Sequence, residues 1–267
     1  MARPTHLPDF TDPPLDEVVL GVQFAPVSGY NPIFANGIWK LFKDVFPIVE
    51  EHPILDSKFE TFGGSNPQPS FQFQIGQPPA GSRLRFISPE QSNLLQFQAD
   101  RFLINWRKHP NPQEYPRFEG IVETFEQNLN ALSDYFIKTF QYTLDINQAE
   151  VSYINIIPVD EFSDADKWFK LWGGGNINVE ALSTSFNEVI SDGDRGPFAR
   201  LNHDIQSVLS MDGKQKAFRL SLTFRGKPAS NDLAAAMEFL ALGRDKIVTR
   251  FDEITTDQAH ITWGKIA

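Results

Sequence analysis

No cysteine occurs among the 267 residues. That excludes a disulfide, a thiol nucleophile and a thiolate metal site. No apolar run approaches the roughly 18 residues of a membrane-spanning helix, so no membrane association is expected. The opening "MARPTHLPDFTDPPLDE" lacks the apolar stretch of a signal peptide. Its prolines and acids predict an extended arm over residues 1–14, and the expected residence is cytoplasmic. Positive charge is also scarce. Lys and Arg number 24 against 34 Asp and Glu, a net charge of −10. Such a balance disfavours non-specific attraction to nucleic acid or anionic lipid.

Catalytic and metal motifs are missing as well. The histidines are His6, His52, His109, His203 and His260. None has zinc-like spacing to another ligand, and no HExxH is present. "SDGDRG" begins like a calcium loop, but the position where a closing Glu should stand, counted from Asp192, holds His203. "WGGGN" lacks the Lys-Ser/Thr of a phosphate loop, and no Gly-x-Ser-x-Gly elbow occurs. His203 and Asp204 are adjacent on a predicted strand and so point to opposite faces. Asp160, Glu161, Asp164 and Asp166 suit the start of a short helix. No catalytic residue, cofactor or metal is expected from these patterns.

What is present is aromatic: 24 phenylalanines within a 41% hydrophobic chain. Burial of rings should dominate the core. "EVVLGVQFAP" reads as a strand. "NPIFANGIWKLFKDVFPIVEEH" reads as a helix with Ile38, Leu41, Phe42 and Val45 on one side, ended or kinked by Pro47. Strand-sized pieces follow: "SKFETF", "SFQFQIG", "RLRFIS", "NLLQFQA" and "RFLINWRK". "EYPRFEGIVETFEQNLNALSDYFIKTF" carries a helical stripe of Phe118, Ile121, Val122, Phe125, Leu129, Leu132 and Phe136. "EVSYINIIP" then opens a second round. It continues through the short helix "DADKWFKLW", the strands of "VEALSTSFNEVIS", "FARLNHDIQSVLSM" and "KAFRLSLTFRG", and a closing helix from "NDLAAAMEFLALG" onward. On the short helix, Trp168 and Trp172 are four apart and should share a face.

The predicted class is therefore α+β. Two pseudo-repeated halves, 15–147 and 148–267, each supply an antiparallel sheet with helices on one face, and pack as one unit. The motifs "PPLDEVVLGVQF", "RFLINW" with the following "YPRF", and "TTDQAHITWGK" resemble an uncharacterised, sporadically distributed prokaryotic family of about this length. The likeness runs from Pro13 to Lys265. It implies a prokaryotic source and one conserved architecture, and it brings no activity or catalytic residue. Patchy distribution associates such families with mobile cargo, including phage-defence and toxin–antitoxin accessories.

In "NLLQFQADRFLINWRK" one face of a hairpin takes Leu95, Phe97, Phe102, Ile104 and Trp106. Those residues should meet Phe118, Ile121, Val122 and Phe125 in one core. The other face takes amides and arginines. Between Phe71 and Lys108 stand five Lys/Arg and two Asp/Glu, a locally basic stretch. If helices cover the apolar side, this face is left wet. The candidate partner-binding residues are Gln72, Gln74, Arg83, Arg85, Gln96, Gln98, Arg101, Asn105 and Arg107, with Arg219 and Arg225 from the second half. Three functions compete. The first is a non-enzymatic binding or assembly protein engaging a protein partner through the Gln/Arg face; self-association is also expected, because the edges of so sheet-rich a chain must be covered. The second is nucleic-acid binding on that same face. The third is an apolar ligand pocket or an enzyme of helix-clasping type.

Overall fold

The computed structural model describes residues 4–63, 82–108, 114–173, 177–193, 196–210 and 212–266. In chain order these form β1 (Leu15–Phe24), α1 (Ala35–Phe42), β2 (Ile48–His52), β3 (Arg83–Ile87), β4 (Asn93–Gln98), β5 (Arg101–Arg107) and α2 (Arg117–Phe140). They continue through β6 (Ile146–Val159), α3 (Ala165–Trp168), β7 (Ser183–Asp192), β8 (Gly196–Leu209), β9 (Lys216–Gly226), α4 (Leu233–Ile254) and α5 (Asp257–Thr262). The strands make one antiparallel nine-stranded sheet in the order β2-β3-β4-β5-β1-β6-β9-β8-β7. The class is α+β, and no described helix is long and apolar enough to cross a membrane.

Local chemistry accounts for the elements. Asn31 accepts from the Ile33 amide, with Pro32 in the first turn of the 3-10 segment that leads into α1. Asp232 caps α4 by accepting from the Ala235 amide at 2.9 Å, and Thr256 caps α5 through the Ala259 amide. β4 and β5 form the predicted hairpin, with Leu95 opposite Ile104 and Phe97 opposite Phe102. The α2 stripe is buried throughout. Phe125 stacks on Phe102, with ring centroids 5.9 Å apart, and Phe42 of α1 stacks on the same ring. Burying a side chain of this size contributes roughly 1.5–3 kcal/mol. Phe97, Ile104, Trp106, Phe118, Ile121 and Val122 join the same core, as the alternation predicts.

Two glycines permit close approaches. A Cβ on Gly243 of α4 would lie 2.7 Å from the Phe224 ring of β9 and 3.1 Å from Val151 of β6. A Cβ on Gly21 of β1 would lie 2.1 Å from Leu103 of β5, so Leu103 occupies the space above that glycine.

Some local expectations change. The first helix ends at Phe42, before Pro47. Of its predicted stripe, Ile38 and Phe42 are buried while Leu41 and Val45 are exposed. The residues after Pro47 turn into β2, an edge strand. Among the described residues "SKFETF" pairs with no strand. α3 stops at Trp168, so Trp168 and Trp172 share no helix face. Trp168 stacks on Trp263 and Trp172 packs edge-on to Phe169.

Candidate functional site

Because strand side chains alternate, the face opposite the Phe102–Phe125 contact is set by register. Gln98 lies opposite Arg101, Gln96 opposite Arg85 and Leu103, and Glu17 opposite Arg107. Gln23 lies opposite both Arg101 and Gln148. In the second half Glu150 meets Arg225, which meets Arg200, while Arg219 meets Gln206. The predicted residues Arg83, Arg85, Gln96, Gln98, Arg101, Asn105, Arg107, Arg219 and Arg225 thus share one face of one sheet. Gln72 and Gln74 lie outside the described residues.

This face is not uniformly wet, which corrects the reading from alternation. Gln23, Gln96, Gln98, Arg101 and Asn105 are each 7% exposed or less. Over Gln23, Gln98 and Arg101 the segment 53–63 crosses the face as an extended strap held by side chains, while Gln96 and Asn105 bond to each other, to Arg83 and to Glu17. Gln98 grips the Leu55 peptide unit twice: its Oε1 accepts from the Leu55 amide and its Nε2 donates to the Leu55 carbonyl, both at 2.9 Å. Arg101 donates to the Asp56 carbonyl at 2.9 Å and to Gln23 Oε1 at 2.8 Å. Gln23 Oε1 also accepts from the Lys58 amide. Further along, Glu60 reaches Arg200 and Arg225, Arg200 also donates to the Thr61 carbonyl, and its guanidinium lies 4.9 Å from the Phe62 ring centroid. Gln23 and Gln98 therefore satisfy peptide groups of a strap that joins no strand among the described residues, as buried backbone requires.

The arginines divide into two sets. Arg117, Arg200, Arg225, Arg244 and Arg250 each hold a carboxylate as an ion pair. Among the described residues, Arg83, Arg85, Arg101, Arg107 and Arg219 hold none, and all five stand on the polar face. Arg83 donates to Gln96 at 2.9 Å and Arg107 to the Gln91 carbonyl at 2.9 Å. The Nε atoms of Arg83, Arg85 and Arg107 are buried without a partner among the described residues. Burial lowers the Arg83 pKa, and repulsion from Arg85 and Arg101 lowers it further. Glu17 stands near Arg107 and Arg219 and is held by Asn105 at 2.7 Å. Burial raises its pKa, and the Asn105 bond and both cations pull it partly back.

Two other places contain functional side-chain types. His203, 1% exposed, lies face to face with Phe186 at 4.2 Å and reaches Glu188 at 3.1 Å, which in turn pairs with Arg250. Asp204 points the other way and accepts from Gln206, as strand alternation predicts. Between the N-terminal arm, α2 and α4 lies a cavity of about 80 Å³ lined by Leu7, Phe10, Tyr115, Tyr153, Arg244 and Phe251. Its polar groups are satisfied internally. The Tyr115 and Tyr153 hydroxyls are 3.2 Å apart, and Arg244 is held by Glu119 and Asp245. Burial pushes Tyr115 up to about 12 and Tyr153 well above its usual value. No cluster of metal-ligating side chains occurs among the described residues.

Sequence reasoning missed the strap. Its available signal was the acid Glu60 between Phe59 and Phe62, which reads equally well as a strand. No protein-family model matches the chain, and no curated protein matches it.

Proposed function

We propose that this is a non-enzymatic binding protein whose polar sheet face, around Arg83, Arg85 and Arg107, engages an acidic protein surface. The observation that carries the reading is the set of five arginines on one face that form no ion pair among the described residues. Elsewhere in the same acidic chain arginines are neutralised. Guanidinium forks suit carboxylates in defined geometry, and a partner's acids would relieve the mutual repulsion of Arg83, Arg85 and Arg101. The same forks suit phosphate, but a net charge of −10 opposes approach to nucleic acid.

The reading includes an internal duplication, with helices packed on one face of the sheet. In support, β1 and β6 pair at the centre, with β5, β4 and β3 running outward on one side and β9, β8 and β7 on the other. The long helices α2 and α4 close the two rounds. It also includes membership in the sporadic prokaryotic family, cytoplasmic residence, and a role as an accessory in a defence or toxin–antitoxin system. For these the support is the motif likeness and the composition.

The test is affinity capture from the native host with the tagged chain and with the Arg83→Gln/Arg85→Gln double variant. A protein held by the native chain and lost from the folded variant supports the proposal. Recovery of nuclease-sensitive material alone selects the nucleic-acid reading. Equal recovery of the same protein by both forms rejects the arginine face as the site.

A further inference from the structure

The sheet ends in two edges of opposite character. β2 is five residues long, carries Glu50, Glu51 and His52, and is flanked by Pro47 and Pro53. Short, charged, proline-bounded edges resist further pairing. β7 is ten residues long, "STSFNEVISD", without lysine or proline. Its one charge before Asp192 is Glu188, which is paired with Arg250. Among the described residues β7 pairs only with β8.

The bonds to β8 show which peptide groups remain. The Ser207 amide donates to the Leu182 carbonyl at 2.8 Å, and Ser183 lies opposite Gln206. Antiparallel alternation then turns the N–H and C=O of Thr184, Phe186, Glu188 and Ile190 toward β8. Those of Ser183, Ser185, Asn187 and Val189 turn outward, on residues that are all exposed.

We propose that β7 pairs antiparallel with β7 of a second copy of this chain, about a twofold axis through Asn187, so that the two sheets become one. The strand is self-complementary in this arrangement. Outward-bonding residues meet outward-bonding residues: Asn187 meets Asn187, and Ser185 meets Val189. Across the alternate rows Thr184 meets Ile190 and Phe186 meets Glu188, so no carboxylate opposes a carboxylate. A twofold contact uses the same patch on both copies, and backbone bonding supplies affinity without side-chain charge. A charged partner would find no complementary charge on this edge, whereas a second copy finds matching peptide groups and a β-branched pair.

Light scattering over a wide concentration range should give twice the chain mass for the native protein. Asn187→Pro removes only an outward N–H and leaves the β8 bonds, and it should give the single-chain mass with an unchanged circular dichroism spectrum. Asn187→Lys sets two lysines against each other across the axis and should do the same. Val49→Lys on β2 should remain dimeric. Since the chain has no cysteine, an Asn187→Cys variant offers a further readout. It should form an intermolecular disulfide, because hydrogen-bonded antiparallel pairs place Cα atoms about 5.5 Å apart. A native chain that stays single at every concentration overturns the proposal. So does a dimer that persists in folded Asn187→Lys and does not cross-link in Asn187→Cys.

Discussion

On the β6–β9–β8 side of the polar face, two of the three arginines, Arg200 and Arg225, are matched by carboxylates, and Arg219 is not. Arg225 lies between Glu150, at 2.7 Å, and Glu60, while Arg200 shares Glu60 and takes the Thr61 carbonyl. On the β3–β4–β5 side, Arg83, Arg85, Arg101 and Arg107 form no ion pair among the described residues: Arg83, Arg101 and Arg107 donate to amides and carbonyls, while Glu50 lies opposite Arg85 and Glu17 opposite Arg107 without closing on them. Both regions belong to one sheet and alternate by the same rule, and one strap crosses them. The difference teaches that fold stability required neutralisation in one place and did without it in the other. A guanidinium kept half-buried beside two others costs repulsion and desolvation. An acidic partner that arrives later would remove that cost.

The comparison presumes a rigid sheet beneath it, and that is where the largest effect is expected. Phe125 is fully buried against Phe102. Phe125→Ala should lower stability by about 3–5 kcal/mol in urea unfolding, and a loss below 1 kcal/mol would mean that the ring is not in the core. Glu60→Ala comes next. It strips the carboxylate shared by Arg200 and Arg225, whose side chains are 16% and 17% exposed. A loss of roughly 1–3 kcal/mol is expected, together with faster proteolysis within 53–63. No loss would erase the distinction between the two sides.

A smaller effect depends on pH. Burial is the main cause lowering the His203 pKa below 6.5, against the pull of Glu188, and burial also lowers that of His260. In both cases the folded state favours the neutral ring. The associated stability is fully present above about pH 6.5, the unfolded value, and is lost as pH falls through the folded values. Unfolding midpoints should therefore drop between pH 7.5 and 5, and His203→Gln should reduce the drop. An unchanged pH profile in His203→Gln would remove that histidine from the account.

The fold was readable where a single periodicity ran long. The seven-residue stripe of α2 and the alternation of "NLLQFQADRFLINWRK" and "FRLSLTFRG" each led to the observed element and face. It was not readable where two local signals conflicted. Leu41 and Val45 continue a helical pattern that the chain leaves at Phe42. The residues after Pro47 then supply an edge strand whose side chains are mostly exposed, so no hydrophobic pattern marks it. Of the candidate site, the membership of the face followed from alternation, but its burial did not. At Gln98, Arg101 and Gln23 that burial comes with a strap they hold across 35 to 45 residues of sequence. α5 was missed because six residues make too short a window for periodicity.

The measurement that bears most directly on the two sides of the face is urea unfolding of two double variants at neutral pH. Arg83→Gln/Arg85→Gln removes cations that form no ion pair with a described carboxylate, and its stability should stay within about 1 kcal/mol of the native chain or rise. Arg200→Gln/Arg225→Gln leaves Glu60 and Glu150 without their cations and should lose roughly 1–3 kcal/mol. An Arg83/Arg85 variant that loses as much as the Arg200/Arg225 variant would contradict the account, because those arginines would then serve the fold and not a partner.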